Sequence, residues 1–216
     1  GESRSRTHAV LILKSIVQSA DPLKVMGAGP DLFRQVVRLL DDRISLQATK
    51  GALKLLAELC PWGRNRVKAA DAGAVHALVE LLLPGGAPAW DQERRVCELV
   101  LTALEQLCSC AEGRGALLAH AAGVAAVSQK ILRVSHAANE RAVRVLGWVC
   151  RCTAAARVAE EMMVVGAVGK VCLVTEVGCS GTRTKERCRE MLRLHSRSWR
   201  NSPCLPPHLA SSYPAS

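Results

Sequence analysis

A short polar segment, a sharp Ala-Gly turn and an apolar run recur along this chain, and that recurrence restricts its fold more than any other feature. The clearest copy runs from Gly63-Arg-Asn-Arg-Val-Lys68 through Asp71-Ala-Gly73 into Val75-His-Ala-Leu-Val-Glu-Leu-Leu-Leu83. Comparable turns stand at Ala28-Gly29-Pro30, Ala122-Gly123-Val124 and Val165-Gly166-Ala167. Successive turn glycines are 44, 50 and 43 residues apart. A period of roughly 40–47 residues belongs to helical repeats stacked side by side, in which each unit covers an apolar face of its neighbour.

Composition agrees with an all-α chain. Hydrophobic residues make up 49% and aromatics only 3%, so the apolar mass is Leu, Val and Ala, residues suited to helix–helix seams. The prolines at 22, 30, 61, 84 and 88 fall between periodic segments, and the rest lie from Pro203 onward. None interrupts an expected helix interior, where it would cost about 3 kcal/mol.

The expected architecture is a right-handed α-solenoid over residues 1–201. Residues 1–20 read as the last helix of a repeat whose beginning is missing. Units follow at about 21–60, 61–111, 112–154 and 155–201, and a Pro/Ser-rich tail over 202–216 is expected to be disordered. Expected helices include 31–40, with Asp31 as N-cap, then 45–60, 75–83, 91–110, 124–134, 139–153 and one ending at Arg200. Three helices per unit, the first of them short, favour armadillo over HEAT repeats.

Third helices carry the partner-binding surface of such a stack. Wheel arithmetic places Ala52, Leu55, Leu56, Leu59 and Cys60 on the core side of helix 45–60, with Lys50 and Lys54 pointing away. In helix 91–110 Val96, Val100, Leu104 and Leu107 face inward, and Glu98, Thr102 and Glu105 outward. In helix 139–153 Val143, Leu146, Val149 and Cys150 set the core side. Trp148 then falls on the open side with Arg141, Arg144 and Arg151, either as a binding hot spot or packed against the next repeat or the tail. The last helix has an apolar stripe of Cys188, Leu192, His195 and Trp199 beside a basic ridge of Lys185, Arg189, Arg193, Arg197 and Arg200. Over 183–200 the local charge is +5. This ridge is either a solvated cap or a docking surface for an acidic or phosphorylated segment.

The net charge of +10 biases the chain toward acidic partners. Nucleic acid and membrane are not the expected partners, because the charge is spread out except at the C-terminal end. No apolar stretch is long enough to span a bilayer, and no signal-peptide core opens the sequence. The ten cysteines mostly sit at apolar helical positions (Cys60, Cys97, Cys108, Cys150, Cys188), so a reducing cytoplasm, or the nucleus, is the expected setting. Cys108-Ser-Cys110 and Cys150-Arg-Cys152 lack the partners and spacing of a zinc site, and no metal or other cofactor is expected. The six histidines are scattered and read as loop or seam residues. No G-x-S-x-G, P-loop, H-E-x-x-H or dinucleotide fingerprint occurs, so no catalytic residue and no small-molecule substrate is expected.

Several segments resemble one family. Leu107-Cys-Ser-Cys-Ala-Glu-Gly-Arg114, Lys130-Ile-Leu-Arg-Val-Ser-His136 and Arg141-Ala-Val-Arg-Val-Leu146 look like the armadillo region of plant U-box E3 ubiquitin ligases. Thr184-Lys-Glu-Arg187 and Leu192-Arg-Leu-His-Ser-Arg-Ser-Trp-Arg-Asn-Ser-Pro-Cys204 match the carboxyl end of its stress- and defence-associated members. The resemblance covers about residues 64–204. In that family the U-box recruits the ubiquitin-charged E2 and the repeats select substrates. The resemblance therefore implies a substrate-binding, protein-interaction role in ubiquitination. Nothing in residues 1–20 resembles a U-box, so no E2-contacting residue is carried over. A non-catalytic armadillo scaffold or decoy is the alternative, and anionic-ligand binding through the C-terminal helix is a second.

Overall fold

The computed structural model describes residues 2–83, 94–152, 155–176 and 180–199. Among these residues there are fourteen helices and no strand. The loop 84–90, the start of the expected helix 91–110 and the tail 202–216 lie outside the described residues. No described helix is long and apolar enough to cross a membrane. The chain divides into two compact units, Gly1–His120 and Ala121–Ser216.

The first unit holds α1 (Glu2–Ser19), α2 (Pro22–Met26), α3 (Pro30–Asp42), α4 (Leu46–Leu59), α5 (Asn65–Asp71), α6 (Ala74–Leu82), α7 (Arg94–Cys108) and α8 (Ala111–Ala119). The long helices α1, α4 and α7 lie in series, with α4 touching both, while α3 contacts α4 and α6. Their seams hold Phe33, Leu40, Leu53, Leu56, Leu78, Leu82, Leu101 and Leu104, all 0–1% exposed. Each such side chain contributes about 2 kcal/mol by leaving water. At its start α4 is capped by Ser45, whose Oγ accepts from the Ala48 amide at 3.1 Å. The expected cap of α3 is different: Gly29 occupies the position without a side-chain bond, and Pro30 sits at the first helical position. Asp31 therefore lies one residue inside the helix, where its carboxylate pairs with Arg34.

The second unit holds α9 (Gly123–Gln129), α10 (His136–Val149), α11 (Ala155–Val164), α12 (Ala167–Glu176), α13 (Thr182–Leu194) and α14 (Ser196–Trp199). Helix α9 ends before the expected residue 134, and Leu132 takes a left-handed φ of 60° in the turn that follows. Helix α10 starts three residues before the expected 139, because Ser135 Oγ accepts from the Ala138 amide at 3.2 Å. The last helix is broken rather than continuous to 199, since α13 stops at Leu194 and His195 leaves helical geometry.

The four turn glycines also differ. Gly73 and Gly166 adopt left-handed φ of 88° and 69°, which glycine tolerates best. Gly29 is extended, and Gly123 is already the first residue of α9.

The sequence period reappears as spatial contact. Within the first unit, Asn65 Nδ2 donates to the Val25 carbonyl at 2.9 Å and Lys68 Nζ to the Ala28 carbonyl at 2.7 Å, both across 40 residues. Within the second, Asn139 Nδ2 reaches Ser180 Oγ across 41 residues and Lys170 Nζ the Ser128 carbonyl across 42. Side chains one period apart thus tie neighbouring repeats together.

Candidate protein-interaction surface

The outward faces of the third helices are the candidate surface, because their inward faces are spent on the core. In α4, Ala52, Leu55, Leu56, Leu59 and Cys60 are 0–1% exposed. On the opposite side Lys50 and Lys54, both half-buried, line a cavity of about 450 Å³ with Lys14 and Leu11 of α1. Three lysines around one groove give it a positive potential. Gly51 sets how closely α1 approaches, since an added Cβ would meet Val10 Cγ1 at 3.1 Å. Beside this groove α1 exposes Ile12 (59%) and Ile16 (55%).

On α7 the expected acidic pair behaves unequally. Glu98 is held by its own helix, accepting from Arg94 Nε at 3.3 Å and Arg95 Nη1 at 3.2 Å, so its charge is largely neutralised. Glu105 is half-buried on the same helix.

On α10, Val143, Leu146, Val149 and Cys150 are buried as expected, at 0–1% exposure. Trp148 is half-buried rather than fully open, and Arg144 is half-buried beside it. Arg141 donates to the Ala137 carbonyl at 3.1 Å. Arg151 donates to the Gly147 carbonyl at 3.2 Å and forms an ion pair with Glu190 of α13. It is exposed and bridges α10 to α13 from the open side.

Of the ridge on α13, Lys185 is half-buried and Arg189 and Arg193 are exposed, while Arg197 sits on α14 and Arg200 lies outside the described residues. Because Arg151 engages Glu190, one of the two acids that would offset this ridge is already paired. The apolar stripe survives the break at residue 195: Cys188, Leu192 and Trp199 are 0–1% exposed. His195 is the half-buried exception, its Nε2 lying 2.8 Å from the Cys150 carbonyl oxygen at the end of α10.

Arginines finish the third helices of the first unit. Arg66 Nε donates to the Cys60 carbonyl at 3.1 Å, and Arg114 Nη1 to the Cys108 carbonyl at 3.1 Å, each supplying a donor where a helix end leaves carbonyls open. The cysteines beside them are structural. Burial pushes the thiols of Cys60, Cys108, Cys150 and Cys188 up to about 12, which keeps them protonated at neutral pH.

Histidines expected to be scattered are not all isolated. His76 and His120 have ring centroids 4.8 Å apart, and Glu80 Oε1 lies 3.1 Å from His120 Nε2. Only the i,i+4 spacing of His76 and Glu80 hinted at this in the sequence.

The armadillo-region description "Plant U-box protein ARM repeat region" matches residues 1–215. The chain belongs to this plant U-box armadillo family. It is 47% identical over 214 residues to the E3 ubiquitin-protein ligase PUB23 of Arabidopsis thaliana, covering 99% of this chain and 51% of that protein. To PUB22 of the same plant it is 46% identical, covering 100% and 48%. The chain thus spans about half the length of these curated relatives. Among solved structures, a designed armadillo repeat protein in complex with peptide (KR)4 superposes with a TM-score of 0.68 at 17% identity, over 96% of this chain and 82% of that one. A second designed armadillo protein gives 0.66, over 88% and 76%. Both likenesses show the armadillo fold.

Proposed function

We propose that this U-box-family armadillo chain is the substrate-recruiting part of an E3 ubiquitin ligase acting in plant stress or defence signalling. The observation that carries the reading is the family match across residues 1–215, with relatives named as E3 ubiquitin-protein ligases. The contribution of such a module is proximity: it holds a substrate lysine near a ubiquitin-charged E2 that a separate U-box recruits.

The chemistry of the surface favours an acidic partner. Lys14, Lys50 and Lys54 surround the groove on the first unit, and Lys185, Arg189 and Arg193 form the ridge on the second. The designed armadillo protein in complex with a Lys/Arg peptide takes the opposite charge. Trp148 and Arg144 supply a partly desolvated aromatic and a guanidinium of the kind that dominates binding energy.

The test is reconstitution. A U-box fused upstream of residues 1–216 should transfer ubiquitin to proteins captured by the chain, and Lys50→Glu with Lys54→Glu, or Trp148→Ala with Arg144→Ala, should weaken capture about tenfold or more. Capture without any transfer would favour the non-catalytic scaffold. A steep loss of RNA or anionic-vesicle binding with salt, abolished by Arg189→Glu with Arg193→Glu, would instead favour a nucleic-acid or lipid role.

A further inference from the structure

We propose that His76, Glu80 and His120 form a binding site for a first-row divalent transition metal of the zinc class, tying α6 to the C-terminal end of α8. His76 and Glu80 stand one turn apart on α6 and so share a face. His120 is the C-cap of α8, where the backbone turns extended (φ −79°, ψ 125°) and the imidazole projects back toward α6. One ligand atom from each residue lies within 4.8 Å of the others.

The fit to a metal is close. Donors at 2.0–2.2 Å from a tetrahedral zinc are about 3.3–3.6 Å apart. Glu80 Oε1 and His120 Nε2 stand at 3.1 Å, a hydrogen-bond distance that an ion would open by a few tenths of an ångström. The rings of His76 and His120 are tilted at 58° rather than stacked, so both can turn an edge toward a common point. His76 is exposed, and a side-chain rotation of about 1–1.5 Å closes its remaining gap.

Donor chemistry sets the metal class. Two imidazole nitrogens and one carboxylate suit zinc, cobalt, nickel or copper, whereas magnesium and calcium call for an all-oxygen shell. Asp41 lies within electrostatic reach of both His76 and Glu80 and adds negative charge beside the site. A fourth position is left for water or for a side chain of a bound protein. Glu80 and His120 are 40 residues apart, so a bound ion would link two neighbouring repeats within the first unit.

The test uses the full chain, freed of metal with a chelator. Zinc titrated by calorimetry should bind one equivalent per chain in the micromolar range and raise the melting temperature. Cobalt should give visible d–d bands without the near-ultraviolet charge transfer of a thiolate ligand. His76→Asn alters an exposed side chain, so its far-ultraviolet spectrum and chelated melting temperature should match the parent while zinc affinity falls about tenfold or more. Glu80→Gln should weaken zinc in the same direction. Equal zinc affinity in parent and His76→Asn, a cobalt–thiolate band, or no saturable binding at 100-fold metal excess would each overturn the site.

Discussion

The indole N–H of Trp199 donates to the carbonyl oxygen of Leu192 at 2.9 Å, so a side chain from α14 satisfies an acceptor in the last turn of α13. That turn leaves four carbonyls without helical partners. The same ring is 1% exposed and meets His195 edge-on at 5.2 Å. One residue therefore closes the helix and fills the core behind it.

Two substitutions separate those roles. Trp199→Phe keeps most of the apolar volume and removes the bond, and it should cost about 1 kcal/mol. Trp199→Ala adds a cavity and should cost about 3–5 kcal/mol. Denaturant unfolding of the whole chain reads both. A Trp199→Phe loss near zero would mean that the indole bond contributes nothing.

Gly113 and Gly115 share helix α8 but sit in opposite circumstances. A Cβ on Gly113 would collide with the carbonyl group of Leu107, a backbone clash that no side-chain rotation relieves. Gly113→Ala should therefore cost about 3 kcal/mol or more. A Cβ on Gly115 meets nothing within 4 Å, and the residue is exposed. Gly115→Ala should stabilise by about 0.5–1 kcal/mol, because alanine loses less backbone entropy in a helix. Thermal unfolding of the two variants side by side checks the contrast.

The core was legible because helical periodicity alone decides it. Val96, Val100, Leu104 and Leu107 repeat at three or four residues, and all four are 0% exposed. What the sequence hid depends on contacts between repeats. Arg151 lies on the open face of α10 by wheel arithmetic and is exposed, but its ion pair with Glu190 of the neighbouring helix had no local signal. Neither glycine nor proline marks the break at His195. Burial of Trp199 and the His195–Cys150 contact oppose a continuous helix there, and neither is a local signal. The His76–Glu80–His120 cluster escaped for the same reason, since His120 reaches it only through the stacking of repeats.

Thiol chemistry gives a pH-dependent prediction. Burial pushes Cys60, Cys108, Cys150 and Cys188 from an ordinary value of 9.0 up to about 12. In the unfolded chain these thiols ionise near pH 9, while in the fold they stay protonated until about 12, so the unfolded state binds fewer protons across that window. Stability is then fully present below pH 9 and is lost as pH climbs toward 12. Denaturant midpoints should fall steeply over that range. Site-resolved alkylation at pH 8 should modify the half-buried Cys110 and Cys152 well before these four. Fast labelling of Cys108 or Cys188 in the folded chain would contradict their burial.

Asn65 tests the linkage between repeats most directly. It is 0% exposed, and its Nδ2 donates to the carbonyls of Val25 at 2.9 Å and Leu59 at 3.0 Å, joining the end of α2, the end of α4 and the start of α5. Asn65→Ala leaves two buried acceptors without a donor and should cost about 2–4 kcal/mol. Asn65→Asp should cost more at neutral pH, because one carboxylate oxygen would replace the donor facing two carbonyl oxygens. Lys68 Nζ, 3.5 Å from Asn65 Oδ1, sits only on the other side. Its buried acid would ionise at a higher pH than in the unfolded chain, so that excess penalty should shrink as pH falls toward the ordinary aspartate value of about 3.9. Unfolding of parent, Ala and Asp variants between pH 4 and 7 measures it; a flat difference between Asp and Ala would contradict a raised acid at this site, and an Asn65→Ala loss near zero would show that the amide bonds contribute nothing.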